Sequence, residues 1–86
     1  MAQYEVRFHT SVPKDLDAIP KRDAERILLA IRGLANNPRP PQSRKMVGVD
    51  KYRLRCGVYR VVYEILDAVL VVFVIRVAHR KNVYRN

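Results

Sequence analysis

The amino-terminal part of the chain alternates between apolar and polar residues. Tyr4, Val6 and Phe8 are separated by charged residues, and this period of two predicts a strand over residues 3–10 with one apolar face. A short helix is expected over residues 14–19, where apolar side chains share one side. The chain is therefore predicted to begin with a strand and to continue into a helical region.

The next segment has the period of an amphipathic helix, which we place over residues 20–36. Pro38 ends it, because the residue before a proline avoids the helical backbone conformation. Residues 38–43, which are rich in proline, are expected to form a stiff extended loop. The apolar stripe that predicts the buried side of the helix consists of Ala24, Ile27, Leu28, Ile31 and Leu34.

The second half of the chain predicts a sheet. Residues 52–56 and 59–65 alternate as the first strand does, and residues 57–58 form the hairpin turn between them. Residues 69–77 are almost continuously apolar, which is typical of a strand buried on both faces. The predicted fold is α+β with the order β-α-α-β-β-β, in which two helices pack on one face of a twisted, largely antiparallel sheet.

Composition narrows the class of protein. The chain has 86 residues, 49% of them hydrophobic, so we expect one folded domain over residues 1–86. The longest apolar run, residues 68–75, is shorter than the ~20 residues of a membrane span, so we expect no membrane partner. Because no signal segment is recognisable, we expect a cytoplasmic protein. Cys56 is the single cysteine, which excludes an internal disulfide.

Charge points to the kind of partner. The chain carries 17 Lys and Arg against 8 Asp and Glu, a formal net charge of +9. Ten of the basic residues but only three of the acidic ones lie in residues 43–86. A small folded domain with one basic half favours a polyanionic partner, either nucleic acid or an acidic protein. The simpler alternative is a solvated basic surface.

Several kinds of site lack their sequence signals. With three glycines the chain has no glycine-rich phosphate loop. His9 and His79 are too far apart in sequence for a zinc motif, and Cys56 has no partner motif. Paired acidic residues are scarce in the basic half, which makes a two-metal nuclease unfavourable. We therefore expect neither a metal nor a cofactor.

Arginines on the predicted strands are the strongest chemical signal. Arg53 and Arg55 are two residues apart, so they project from one face about 7 Å apart. Arg60 follows the hairpin turn, and Arg80 follows the apolar strand, with Tyr84 a few residues later. Guanidinium groups match the oxygens of a phosphate, and a tyrosine adds a stacking surface. The alternative is that these arginines are only the solvent face of a hairpin.

A site of this kind can cleave RNA without a metal. The RNA 2′-hydroxyl attacks the neighbouring phosphate, so the protein has to orient the backbone, stabilise the charge on the phosphorane and move two protons. The expected products are a 2′,3′-cyclic phosphate and a 5′-hydroxyl.

The sequence resembles the RelE/ParE toxin superfamily, on its RelE side. The resemblance rests on the segments YEVRF, KDLDAIP and RILLAIRGLANNP and on the stretch KMVGVDKYRLRCGVYRVVYEILDAVLVVFVIRVAHRKNVY, whose most specific parts are YRLRCGVYRVVYEI and VAHRKNVY. It implies a RelE-like fold and a toxin of a type II toxin–antitoxin system that cleaves mRNA on the ribosome without a metal. The implied partners are the ribosome, mRNA and an acidic RelB-like antitoxin.

The resemblance also implies roles for residues. Arg60 would stabilise the phosphorane charge, Arg80 would assist the leaving oxygen and Tyr84 would orient the substrate, with Arg55 as the fourth catalytic position. The residues that we predict to bind RNA are Lys51, Arg53, His79, Lys81 and Arg85.

The chain departs from some family members at one point. They carry lysines where this chain has Arg53 and Arg55, and one of those lysines is assigned as the general base. Arginine almost never loses its proton, so it would be a poor base. The alternatives are His79, whose ordinary pKa suits the task, the weaker candidates Glu64 and Lys51, or a site that relies on positioning and electrostatics alone.

Two other functions fit the same pattern. A ParE-type toxin would have the same fold but would inhibit DNA gyrase, since a fold does not fix a function. A non-catalytic module that binds RNA or the antitoxin is the third possibility.

Overall fold

The computed structural model describes residues 3–83. Over these residues, two helices follow the first strand of a five-stranded sheet, and a short helix follows its last strand. The elements in chain order are β1 (Glu5–Phe8), α1 (Val12–Asp17), α2 (Lys21–Gly33), β2 (Ser43–Lys45), β3 (Tyr52–Cys56), β4 (Tyr59–Leu66), β5 (Val71–His79) and α3 (Arg80–Val83).

The predicted α+β class is confirmed, and the sheet is mixed. The strand order is β1-β5-β4-β3-β2. β1 pairs with β5 in parallel, whereas the other neighbours are antiparallel. The sequence pattern missed β2 and α3. β2 is three residues long, too short for a recognisable period, and α3 occupies a polar segment without an apolar stripe.

The core lies between the helices and one face of the sheet. Tyr63 and Leu54 point to this face and are almost completely buried, as are Ile27 and Ile31 of α2. The sheet face on the other side, away from α2, is called the open face here. Because side chains alternate along a strand, the residues between the core positions of β3 and β4 point to the open face.

Phe8 and Val69 are more exposed than the sequence pattern predicts. Phe8 is 45% exposed because it ends the edge strand β1. Val69 is 67% exposed because it belongs to a single 3₁₀ turn, Asp67–Val69, and β5 begins only at Val71. Leu70 closes that turn with a φ of 54°, in the left-handed region that costs free energy for a residue other than glycine.

A network of polar side chains ties the proline-rich loop to the sheet. Asp67 accepts hydrogen bonds from Arg39 at 2.9 Å and from the Tyr4 hydroxyl at 2.5 Å. The Arg39 guanidinium is the main cause that lowers the pKa of Asp67 below its ordinary value. The buried Tyr63 hydroxyl donates to the carbonyl oxygen of Pro38 at 2.7 Å. The loop that leads into β2 is thereby held in place.

Within residues 3–83, no helix combines the length and apolar character that crossing a bilayer requires.

Candidate nucleic-acid interface

Four arginines of the open face form two cross-strand pairs. Arg55 of β3 lies directly opposite Arg60 of β4, and we call these two the hairpin pair. Arg44 of β2 lies directly opposite Arg53 of β3, and we call these two the edge pair. Residues opposite each other in an antiparallel sheet have Cβ atoms about 4.5–5.5 Å apart. The register therefore brings four positive side chains onto three neighbouring strands.

The four arginines line one pocket with a volume of about 180 Å³. Pro41 and Gln42, from the loop before β2, form its remaining wall. Of the residues that the structure describes, no carboxylate lines this pocket. Guanidinium groups gathered in this way suit a ligand with several anionic oxygens.

Arg60 is held in place by the hairpin turn. Its Nη1 donates to the carbonyl oxygens of Gly57 at 3.0 Å and Tyr59 at 2.9 Å. Gly57 has a φ of 61°, a conformation that glycine adopts without strain in a two-residue turn. The turn thus fixes the direction of the Arg60 guanidinium before any ligand arrives.

The wall of the pocket is attached to β3. The backbone N–H of Arg55 donates to the carbonyl oxygen of Gln42 at 3.1 Å. Ser43 donates to the carbonyl oxygen of Pro40 through both its backbone N–H, at 2.9 Å, and its hydroxyl, at 2.8 Å. Together with the rigid prolines, these bonds keep the loop from folding away from the arginines.

Arg80 lies next to the hairpin turn, beyond the pocket lining. As the first residue of α3 it donates its backbone N–H to the carbonyl oxygen of Val58 at 2.7 Å. Lys81 is exposed on the same helix. Tyr84 and Arg85, two more of the predicted site residues, lie outside the described residues.

His79 lies away from the arginine pocket. The register places it opposite Tyr59, whose ring packs against the core, and the two rings meet edge to face at 5.9 Å. Its Nδ1 accepts the backbone N–H of Lys81 at 3.2 Å. It lines a separate cavity of about 400 Å³ beside α1. The structure therefore does not bring His79 together with the hairpin pair.

The other two candidates for the general base lie along the strands. Lys51 directly precedes β3, at the end of that strand away from the hairpin turn. Glu64 is on the open face of β4, where it pairs with Phe73. It is four residues beyond Arg60, about 13 Å along the strand. Neither is a lining residue of the pocket.

Sequence reasoning missed Arg44, Gln42 and Pro41. Arg44 comes to the pocket only because β2 pairs with β3, and three residues of β2 give no period to recognise. The only available signal was its place in the basic half of the chain. Gln42 and Pro41 have no charge, and only the folded loop reveals their position.

Comparison with known proteins gives consistent matches over the whole chain. Residues 6–84 match the family model described as ParE toxin of type II toxin-antitoxin system, parDE. Toxin RelG of Mycobacterium tuberculosis is 34% identical over 86 residues, covering 95% of this chain and 97% of that protein. Putative toxin RelE1 of Methanocaldococcus jannaschii is 28% identical, covering 98% of both chains. A crystal structure of an archaeal RelE–RelB complex from Pyrococcus horikoshii OT3 is similar with a TM-score of 0.81, 30% identity and 100% coverage of both chains.

Proposed function

This chain belongs to the RelE/ParE superfamily of toxins of type II toxin–antitoxin systems, and from that premise we propose that it is a ribosome-dependent endoribonuclease that cleaves mRNA in the decoding site without a metal. The observation that supports this most directly is the pocket lined by Arg44, Arg53, Arg55 and Arg60. Ribosomes and mRNA are then its targets, and the cytoplasm is where it acts.

In the proposed reaction, the RNA supplies its own nucleophile. The 2′-hydroxyl oxygen bonds to the adjacent phosphorus while the bond from phosphorus to the 5′-oxygen breaks. The hairpin pair binds the non-bridging oxygens and stabilises the additional negative charge of the phosphorane. Because the turn already orients Arg60, little reorganisation is needed when that charge develops.

Two protons have to move in this reaction. Since an arginine is a poor general base and His79 lies on the other side of the sheet, we propose that the 2′-hydroxyl proton passes to water. Arg80 stabilises the negative charge on the departing 5′-oxygen, which takes its proton from water, and Tyr84 orients the substrate. The products are a 2′,3′-cyclic phosphate and a 5′-hydroxyl. The rate then depends mainly on positioning and electrostatic stabilisation.

The proposed regulator is an acidic antitoxin. The similar structure from Pyrococcus horikoshii is a RelE–RelB complex, and a chain with a net charge of +9 favours an acidic partner. Such an antitoxin would neutralise the toxin by binding it through apolar and acidic side chains.

The decisive experiment is cleavage of mRNA on programmed ribosomes. Wild type should cut within the codon in the decoding site, and Arg60→Ala should cut roughly 10²-fold more slowly because a transition-state contact is lost. Arg32→Ala is the matched control, since Arg32 is exposed on α2, away from the pocket. Intact transcripts at excess wild-type toxin would contradict the proposal.

One observation favours a second candidate, a ParE-type inhibitor of DNA gyrase: the matching family model is described as a ParE toxin. A gyrase supercoiling assay beside the ribosome assay separates the two activities. If the chain binds ribosomes but neither cleaves mRNA nor inhibits gyrase, it is a non-catalytic binding module.

A further inference from the structure

Resting on the proposed function, we infer that the arginine pocket binds two successive phosphates of one RNA strand, the scissile phosphate at the hairpin pair and a neighbouring one at the edge pair. Arg44 is then a substrate-positioning residue, and the pocket recognises a single-stranded polynucleotide rather than an isolated phosphate.

The spacing of the pairs supports two sites rather than one. Within each pair, the side chains start about 4.5–5.5 Å apart, so one phosphate fits between them and accepts hydrogen bonds from both. Arg53 and Arg55 are two residues apart on β3, which separates the pairs by about 7 Å. One phosphate cannot contact both pairs fully, whereas successive phosphates of an extended strand have a similar spacing.

The wall of the pocket gives the second phosphate a defined place. Pro41 and Gln42 lie beside the arginines, and hydrogen bonds from Arg55 and Ser43 fix the loop that carries them. Gln42 is exposed, and its side-chain amide has both donor and acceptor groups for a ribose or a base. The RNA backbone then crosses the open face diagonally, from the hairpin turn towards β2.

The test measures binding of short deoxy-oligonucleotides, which lack the 2′-hydroxyl and are not cut, to the full chain without ribosomes. The probes are a trinucleotide with two phosphodiesters, the same trinucleotide with either linkage replaced by a neutral methylphosphonate, and a dinucleotide with one phosphodiester. Affinities are measured by calorimetry for wild type, Arg44→Ala, Arg44→Gln and the control Arg32→Ala.

For wild type, we expect neutralising either linkage to weaken binding about tenfold. Arg44→Ala and Arg44→Gln should bind the fully charged trinucleotide about tenfold more weakly. In these variants, neutralising the linkage that the edge pair binds should have no further effect, because Arg44 no longer contacts that linkage. The dinucleotide should bind both variants as it binds wild type, since it uses the hairpin pair. Arg32→Ala should change none of these affinities.

Two results would overturn the inference. In the first, the variants weaken the dinucleotide and the trinucleotide equally, so that Arg44 contributes only a general positive field. In the second, neutralising either linkage costs as much in the Arg44 variants as in wild type, so that the edge pair binds no phosphate. Thermal unfolding of each variant confirms that it is folded.

Ribosome kinetics distinguish a failure of this inference from a failure of the proposed function. If mRNA is cleaved, Arg44→Ala should raise KM about tenfold with kcat nearly unchanged, whereas Arg60→Ala should lower kcat. A fall in kcat with unchanged KM would contradict a positioning role for Arg44. If the oligonucleotides bind as expected but no mRNA is cut, the two-phosphate site stands and the proposed nuclease activity is wrong.

Discussion

Two arginine-containing regions of this molecule use the same residue type in opposite ways. At the turn between β4 and β5, Arg39 pairs with Asp67 and lies over the Tyr52 ring, with its Cζ 5.4 Å from the ring centroid. In the pocket, Arg55 and Arg60 face each other across two strands. The first arrangement satisfies the arginine within the fold, whereas we propose that an anionic ligand completes the second.

The groups that lie opposite the cations of a basic surface indicate whether that surface has a binding function. An exposed cation paired with a carboxylate contributes modestly to stability, and its removal affects mainly the fold. Cations placed opposite other cations reduce stability, so their removal should affect binding and stability with opposite signs. Variants at Arg60 and Arg55 test the pocket, whereas variants at Tyr63 and Asp67 test the contacts that hold the proline-rich loop and the turn before β5.

The largest expected effect is on catalysis, at Arg60. Arg60→Lys keeps the charge but loses the planar guanidinium, whose Nη1 donates to two carbonyl oxygens of the turn. We expect single-turnover cleavage on ribosomes to fall at least about tenfold, and Arg60→Ala to fall roughly 10²-fold. Full activity of Arg60→Lys would show that charge alone suffices and that the orientation set by the turn is unimportant.

The next effect is on stability, at Tyr63. Tyr63→Phe removes the hydroxyl that donates to the buried carbonyl oxygen of Pro38. An unsatisfied buried acceptor costs about 1–3 kcal/mol, so the free energy of unfolding measured in urea should fall by that amount. A loss below about 0.5 kcal/mol would mean that the loop does not depend on this bond.

A smaller effect with two opposite signs is expected at Arg55. Arg55→Gln relieves the repulsion from Arg60 and should raise the free energy of unfolding by about 0.2–1 kcal/mol. The same variant should cleave mRNA more slowly, because one contact to the phosphate is lost. Urea unfolding and ribosome cleavage on the same preparation measure both. A destabilised Arg55→Gln would contradict the idea that the pair is strained by like charges.

The smallest effect concerns pH at Asp67. Hydrogen bonds from Arg39 and Tyr4 lower the pKa of Asp67 in the folded chain. Asp67 therefore binds a proton more tightly in the unfolded chain than in the folded one. The stabilisation that its ionised carboxylate gives the fold is complete above the ordinary pKa of about 3.9, and it is lost as the pH falls through the lowered pKa of the folded chain. The difference in Tm between wild type and Asp67→Asn should therefore shrink below about pH 4. A difference that does not change with pH would exclude this ionic contribution.

The sequence determined the hairpin more fully than its surroundings. Alternation placed Arg53 and Arg55 on one face, whereas the cross-strand partner of Arg60 depended on a register that the pattern left open. In the structure the two-residue turn sets that register and brings Arg60 opposite Arg55. Arg44 could not be placed, since the pairing of β2 depends on the loop before it and on contacts distant in sequence. The sequence pattern placed Arg80 after the last predicted strand and predicted no helix there, whereas in the structure Arg80 is the first residue of α3.

The residue pattern and the family resemblance predicted different parts of the function. Charge and alternation alone predicted a polyanion-binding face. The specific proposal of mRNA cleavage depends on the family to which the chain belongs. His79 shows the limit of spacing arguments, because its neighbour Arg80 lies beside the hairpin turn while its own ring packs against Tyr59.

The strand order also has a consequence for how this toxin is made. β5 lies between β1 and β4, so the first strand to be synthesised hydrogen-bonds only with the last. While residues 71–79 of a nascent chain are still inside the ribosome, the sheet lacks its interior strand β5, and β1 has no strand to pair with. Contacts this distant in sequence form late and slowly. The sheet of this toxin can therefore close only after residues 71–79 have emerged from the ribosome.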